Sequence, residues 1–495
     1  MRYIALTIGP IYKTLKNARS TREIWGASYF FSYVMKSIIQ KLLEAGVKEE
    51  AFITPYIDRK KIEEKNGVGL FHDRIIFKTG TIDKETTQKI VAEVLKDIEE
   101  FTQFEIPDKK QSDYIKYEFL KNYLQLHILE FDNEFENPLL EISSYLDSAE
   151  LFYQAQLYSE NTILNYVSQQ QTFKEFQKSF LYKDAFGDIV ENFISLPKIA
   201  LNSLNFEIEE AFVDEQKLMQ NLIENDKYKE KIKPYNKYIA IIQADGDNMG
   251  TILQQIGTDE TKLRDFSKQL FEFCIDATKE VKDFGGQMIY AGGDDLFFFA
   301  PIVSSKQESI FHLCDSLSTL FDQKIKEIIQ GLELDKTPSI SFGVSITYYK
   351  YPLYEARENS ASLLFGVAKN EPKNQIAYKV TKHSGQTFEG VISKAEFFDE
   401  FLELIAFDKT DENFLHSIYM KIDIYKKVLE TINDDEKKLK NFFENYFNEE
   451  LHQEKYKNFL DKLQTFIYKA SLNGYGIEDI YAILRLKKFL LGDKI

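Results

Sequence analysis

Apolar residues recur along this chain in two alternating rhythms. Tyr3-Ile-Ala-Leu-Thr-Ile8 is an apolar run closed by Gly9-Pro10, which predicts a strand and then a turn. Apolar positions three and four apart predict a long helix over Thr21 to Ala45. Glu50 to Ile57 and Gly69 to Lys78 read as strands, with His72 and Asp73 inside the second, and Glu85 to Phe101 reads as a helix. A similar series opens at Tyr238-Ile-Ala-Ile-Ile-Gln-Ala244, a β-branched run of the kind buried at the centre of a sheet. Leu263, Phe266, Leu270, Phe273, Cys274 and Ala277 give Lys262 to Lys282 one apolar helical face. Residues 285 to 301 hold two apolar strands around Gly292-Gly293-Asp294-Asp295. Ile310 to Ile329 repeats the helical spacing, and Ser339 to Tyr349 is a last strand. Strand, helix, strand, turn, strand, helix, strand is the βαββαβ ferredoxin-like plan.

The fold class expected is therefore α+β: two ferredoxin-like palm domains, each followed by a mainly helical domain. The boundaries fall at 1–108, 109–235, 236–390 and 391–495, and acidic strand ends occur only in the second palm-like unit. A length of 495 residues accommodates this division, at about 150 residues per domain. A net charge of −17 argues against a free-standing nucleic-acid binder, so any RNA contact is local or shared with partners. The charged residues of 391–495 read as solvated helix faces. Cys274 and Cys314 lie on apolar helical faces and read as buried thiols, giving neither a zinc ribbon nor a disulfide framework. Met1 to Gly9 lacks a secretory layout, and no uncharged run approaches a membrane span. The expectation is a soluble cytoplasmic protein.

Charge becomes informative at two places. Asp294 and Asp295 stand at the tip of the predicted hairpin, where Gly292 and Gly293 permit positive φ and close approach of a ligand. Adjacent carboxylates repel unless a cation lies beside them. The reading is a hard divalent ion, Mg2+ or Mn2+, carrying nucleotide phosphates; the plainer alternative is a solvated acidic turn. Some fifty residues upstream, Asp245-Gly246-Asp247 ends the buried strand. Alternation points Asp245 and Asp247 the same way and frees the Gly246 carbonyl. Acidic strand ends converging on one sheet edge supply what a two-metal phosphoryl-transfer site needs.

These motifs resemble the large, polymerase-like subunit of type III CRISPR effector complexes, nearest the Cmr (III-B) branch. The resemblance rests on Ala244-Asp-Gly-Asp-Asn-Met-Gly250, Ala291-Gly-Gly-Asp-Asp295 and Ser341 to Leu353. Glu355 to Lys369, Lys382-His-Ser-Gly385, Ile8-Gly-Pro10 and Ala18 to Ser28 add to it. It implies conversion of ATP into an adenylate second messenger, usually cyclic oligoadenylate, when the complex binds target RNA. The implied partners are other subunits of a Cmr complex, with guide and target RNA reached through them, and no membrane. Asp245 and Asp294 would be metal ligands, with Asp295 beside them and the Gly246 carbonyl completing coordination.

Nucleotide contacts would come from Gly246, Asp247, Gly292, Gly293, Ser341, Lys350 and Lys369. Asp247 either orients a ligand or caps the following turn. Lys369 is either a cation at a helix end or, as the resemblance favours, a phosphate contact. Ser341 either faces the site or is structural. Arg19, Arg22, Trp25 and Ser28 would line the face between the palm-like units or touch a neighbouring subunit; a lone Trp also suits a core anchor. Many such subunits carry an HD nuclease and zinc-binding cysteines, and neither is expected here. His72-Asp73 lies in a predicted strand, and the six histidines are scattered. The acceptor is a second ATP or S-adenosylmethionine. A catalytically idle scaffold and a diguanylate-cyclase-like enzyme are the competing readings.

Overall fold

Strand β1 (Arg2–Gly9) is buried through its middle because both of its edges are paired. In the computed structural model the described residues are 2–102, 119–152, 161–168, 176–187, 195–204, 218–229, 231–330, 332, 334, 336–407, 412–447 and 456–491. Helix α1 (Thr21–Glu44) follows β1, started by Ser20, whose Oγ accepts from the Glu23 amide at 3.2 Å. Strands β2 (Phe52–Thr54) and β3 (Arg74–Thr79), helix α2 (Lys84–Thr102) and strand β4 (Gln125–Phe131) complete a sheet ordered β2-β3-β1-β4. Helix α3 (Pro138–Glu150) packs on β1 and β4.

Three details differ from expectation. The fourth strand lies at Gln125–Phe131, beyond the boundary placed at 108, and its half-buried edge position obscures the strand pattern. The segment 50–57 holds only a short strand after a 3-10 turn at Glu49–Ala51. The strand expected from Gly69 begins at Arg74, so His72 and Asp73 lie outside it. The stretch before Arg74 leaves the first sheet: the Ala291 amide donates to the Gly69 carbonyl at 3.4 Å, and Gly69 bridges Tyr290. Gly69 is required there, because a Cβ would lie 2.7 Å from that of Ser32.

The second sheet contains β5 (Tyr238–Asp247), followed by helices α4 (Met249–Ile256) and α5 (Glu260–Phe284). Strands β6 (Gln287–Gly292) and β7 (Asp295–Pro301), helix α6 (Ile310–Ile329), strand β8 (Ser339–Tyr348) and helix α7 (Leu353–Leu363) follow. Strands β9 (Gln375–Thr381) and β10 (Thr387–Ser393) extend it, giving the order β10-β9-β8-β5-β7-β6. Its inner part, β8-β5-β7-β6, repeats the first sheet's arrangement, so both units carry the ferredoxin-like topology. Lys382-His-Ser-Gly385 lies in the turn of the added hairpin. Cys274 and Cys314 are buried free thiols on α5 and α6. The last segment is helical and includes α8 (Lys457–Leu472) and α9 (Ile477–Leu490); Phe489 of α9 meets Tyr238 edge-on at 4.9 Å. No helix among the described residues is long and apolar enough to cross a membrane.

Candidate functional site

Register brings the acids together. Strand β5 pairs with β7 through Ala244↔Leu296 and with β8 through Asp247↔Ser339. Asp245 and Asp295 therefore leave the sheet at the same edge. Gly246 lets the hairpin turn close on β5: a Cβ there would lie 2.6 Å from Asp294 Oδ2 and 2.8 Å from Asp294 Cβ. Of the paired glycines only Gly293 has positive φ, at 66°. Gly292 is needed for space instead, since a Cβ there would come 2.7 Å from Tyr290 Cζ. Cys274 Sγ donates to the Gly293 carbonyl at 3.2 Å and ties the turn to α5.

Carboxylates this close are expensive to charge. Burial, then the Asp245 carboxylate, pushes Asp294 up to about 7. Burial, then Asp294 and Asp245, holds Asp295 well above the ordinary carboxylate range, although its side chain opens onto a cleft. Asp247 is different: it is fully buried and accepts from Ser339 Oγ and Ser341 Oγ at 2.7 Å each, and from the Asn374 amide at 3.1 Å. It therefore neither faces a ligand nor caps α4, whose N-cap is Asn248. Ser341 is likewise fully buried as a donor to Asp247, which corrects its placement as a nucleotide contact.

Lys369 does reach the site. It ends a π-helical turn, Leu364–Ala368, where its amide donates to the Leu364 carbonyl at 2.9 Å. Its ammonium meets the Gly246 carbonyl, the Asp245 carboxylate and Asp247 Oδ1, the last at 3.2 Å. Burial opposes its charge, but Asp245 and Asp247 outweigh burial and its pKa is raised.

Lys350 does not reach it. Tyr348 pairs with Tyr238 at the opposite end of β5, roughly 23 Å along the strand from Ser341, and Lys350 lies in the turn beyond it, beside the Tyr349 ring. Trp25 is fully buried: it stacks on Tyr29 and Phe186 and donates to the Gly67 carbonyl at 2.9 Å, as a core anchor of the first unit. Arg22 lies over Phe176, and Arg19 donates its amide to Glu23.

Two cavities flank the acids. One of about 270 Å³ is bounded by His72, Asp73, Phe271, Tyr290, Asp294 and Asp295. The other, about 630 Å³, runs between the two α/β units and is bounded by Tyr12, Ser28, Gln243, Phe297, Arg357 and Phe365, among others. Asp73, Tyr290 and Asp295 border both. No sequence motif marks Asp73 as part of the site. The repeated topology is the signal that could have found it, since His72-Asp73 precede β3 as Asp294 precedes β7. Both His72 ring nitrogens are engaged, Nδ1 by the Arg74 amide at 3.2 Å and Nε2 with Thr54 Oγ1 at 3.0 Å.

The donors at the edge are all oxygens, the chemistry that Mg2+ and Mn2+ favour. Among the described residues no three His, Cys, Asp or Glu side chains already surround one point. A divalent ion there would take Asp245, Asp294 and the Gly246 carbonyl, with nucleotide and water oxygens filling the rest of its shell.

A model of the Cas10/Cmr2 second palm domain matches residues 238–377, and one of the N-terminal part of CRISPR-associated protein Cmr2 matches residues 3–104. The chain is 27% identical over 248 residues to the CRISPR system Cmr subunit Cmr2 of Pyrococcus furiosus. That alignment covers 44% of this chain but only 27% of the relative's length. Among solved structures, type III-B Cmr-beta in the apo state is similar, with TM-score 0.57, 11% identity, and coverage of 99% of this chain and 82% of that one. Cmr-beta bound to cognate target RNA gives 0.59, 11%, 99% and 83%. A Csm1–Csm4 cassette in complex with cA4 gives 0.53, 11%, 99% and 70%. At that identity the likeness is one of fold.

Proposed function

We propose, for a chain that belongs to the Cas10/Cmr2 family, that the edge formed by Asp245, Asp294 and Asp295 is the active site of a nucleotidyltransferase that uses ATP. The observation that carries this reading is the closure of the Asp294 turn onto Gly246. It sets two acidic strand ends together at the mouth of a cleft shared by both α/β units. Bound there, Mg2+ or Mn2+ neutralises the triphosphate, polarises the α-phosphorus and acidifies the attacking hydroxyl. Asp245 and Asp294 hold that charge in place. Asp247, locked by Ser339, Ser341 and Asn374, fixes the end of β5 so that Asp245 keeps its direction. Lys369, whose ammonium lies at the Asp245 carboxylate, is the cation this reading assigns to the phosphates. The inter-unit cleft, at about 630 Å³, has room for an acceptor nucleotide aligned with the first.

The product is an adenylate messenger, and the fold shared with a cassette holding cA4 supports a cyclic oligoadenylate. S-adenosylmethionine as acceptor is the other outcome of the same chemistry. The subunit works in a type III complex with guide and target RNA, in keeping with the Cmr-beta structures of the same fold. The test incubates the assembled complex with radiolabelled ATP, Mg2+ or Mn2+ and matched target RNA, with and without S-adenosylmethionine, and weighs the products. The Asp294→Ala/Asp295→Ala variant is expected to assemble and bind RNA with nucleotide turnover lost. Turnover retained in that variant would remove the site. No product from the wild type would favour an idle scaffold, and product from GTP alone a diguanylate-cyclase-like enzyme.

A further inference from the structure

Lys369 draws on the oxygens that the proposed function assigns to a divalent ion. Its ammonium is held by the Gly246 carbonyl and the Asp245 carboxylate, with Asp247 Oδ1 at 3.2 Å behind them. Mg2+ binds oxygen at about 2.0–2.1 Å and tolerates little distortion of its shell. An ion bound to the Gly246 carbonyl and to Asp245 at that range would sit against the positive charge of the ammonium, and the two cations repel. Asp294 and Asp295, by contrast, have no ion pair among the described residues.

We infer that Lys369 is a displaceable resident cation. It occupies the metal's seat in the nucleotide-free protein and yields it when a nucleoside triphosphate brings its own divalent ion and offers phosphate oxygens to the ammonium. This rests on the metal reading of Asp245 and Asp294 given above and adds an order of events: free metal binds poorly, and metal and nucleotide load together.

Two features suit Lys369 to leave. Its departure leaves Asp247 Oδ2 its bonds from Ser339, Ser341 and the Asn374 amide, so only Oδ1 loses its partner. The lysine also hangs from the end of a π turn, a helical distortion of the kind often found at functional sites.

The test is Mn2+ binding to the full chain without nucleotide, read by the electron paramagnetic resonance of free Mn2+. Lys369→Met is expected to bind Mn2+ at least about tenfold more tightly than the wild type. It is also expected to bind a non-hydrolysable ATP analogue with Mn2+ about tenfold more weakly, because the phosphates lose their ammonium. Mn2+ affinity unchanged or weakened in Lys369→Met overturns the exchange. If Lys369→Met unfolds, Asp247→Asn/Lys369→Met removes both charges of the buried pair and carries the same expectations. Adding Asp294→Ala/Asp295→Ala separates the two levels. If that pair leaves the Mn2+ affinity of Lys369→Met untouched, the metal site itself is wrong. If it abolishes Mn2+ binding while Lys369→Met alone gains nothing, only the exchange is wrong.

Discussion

A single methyl group tests the site most economically. Gly246→Ala would place a carbon 2.6 Å from Asp294 Oδ2 and 2.9 Å from Met249 Cγ. Strand β5 cannot retreat, because β7 and β8 hold it on both sides, and the turn is tied to α5 through Cys274. The turn must then swing away. The expected cost is about 1–3 kcal/mol in denaturant unfolding, with adenylate formation lost in the same variant. Wild-type turnover in Gly246→Ala would mean that the two strand ends need not touch. Asp245, Asp294 and Asp295 are legible in the sequence because charge clustered at the end of an apolar strand serves neither the core nor the sheet. Asp247 and Ser341 are not. Strand alternation gives the face on which a side chain starts, but not whether a later segment, here Asn374 and the Lys369 turn, closes over it. Lys350 is misplaced by its motif because proximity in sequence to β8 does not say which end of that strand lies beside Asp245.

Among the elements, the π turn carries the strongest consequence. Helix α7 lies so close on β8 that a Cβ on Gly343 would come 2.9 Å from Leu364 Cβ. The helix cannot slide to aim its last residues, so the extra residue of the π turn does the aiming. Inserting one alanine beside Gly366 would rotate Lys369 by about 100° about the helix axis. The expected outcome is a fold that survives by circular dichroism, with affinity for the ATP analogue reduced to that of Lys369→Met. Affinity equal to the wild type would show that the turn is incidental. A π turn leaves little trace in hydrophobic spacing, which is why the sequence shows only a helix ending in Lys369. The same limit hides β9 and β10: β9 joins β8 in parallel and β10 joins β9 antiparallel, an extension that no local pattern announces. Helices α1, α5 and α6 are legible within a few residues because each presents one broad apolar face to a sheet.

Across the whole molecule, the two α/β units meet through a short strap, where Gly69 bridges Tyr290 and His72 and Asp73 border the acidic cavity. Burial, then the neighbouring Arg74, lowers His72 to about 4. Its neutral ring accepts from the Arg74 amide. Between pH 6.5 and 4 the unfolded strap binds a proton that the folded strap does not, so the strap's stability is present above pH 6.5 and is lost as pH falls toward 4. Hydrogen-exchange protection factors of residues 69–74, taken relative to the intrinsic rate at each pH, should therefore fall over that window in the wild type and stay level in His72→Gln; parallel profiles would show that another group governs it. The strap is one of the contacts by which a movement of the first unit could reach Asp294 and Asp295, beside those of α5 with β2 and of α1 with β6. The chain's net charge of −17 gives RNA little reason to settle on it, so under the proposed function the sensing of a guide–target duplex would arrive through bound subunits. A reaction that needs two nucleotides in line is sensitive to a small shift between the walls of their cleft. Turnover is thus expected to be close to zero for the purified protein, low in a complex holding guide RNA alone, and high once matched target RNA is added. Equal rates in all three preparations would show that the cleft is assembled without partners. Activation that survives replacement of Gly69 by a residue too large for the strap would show that the signal travels by another path.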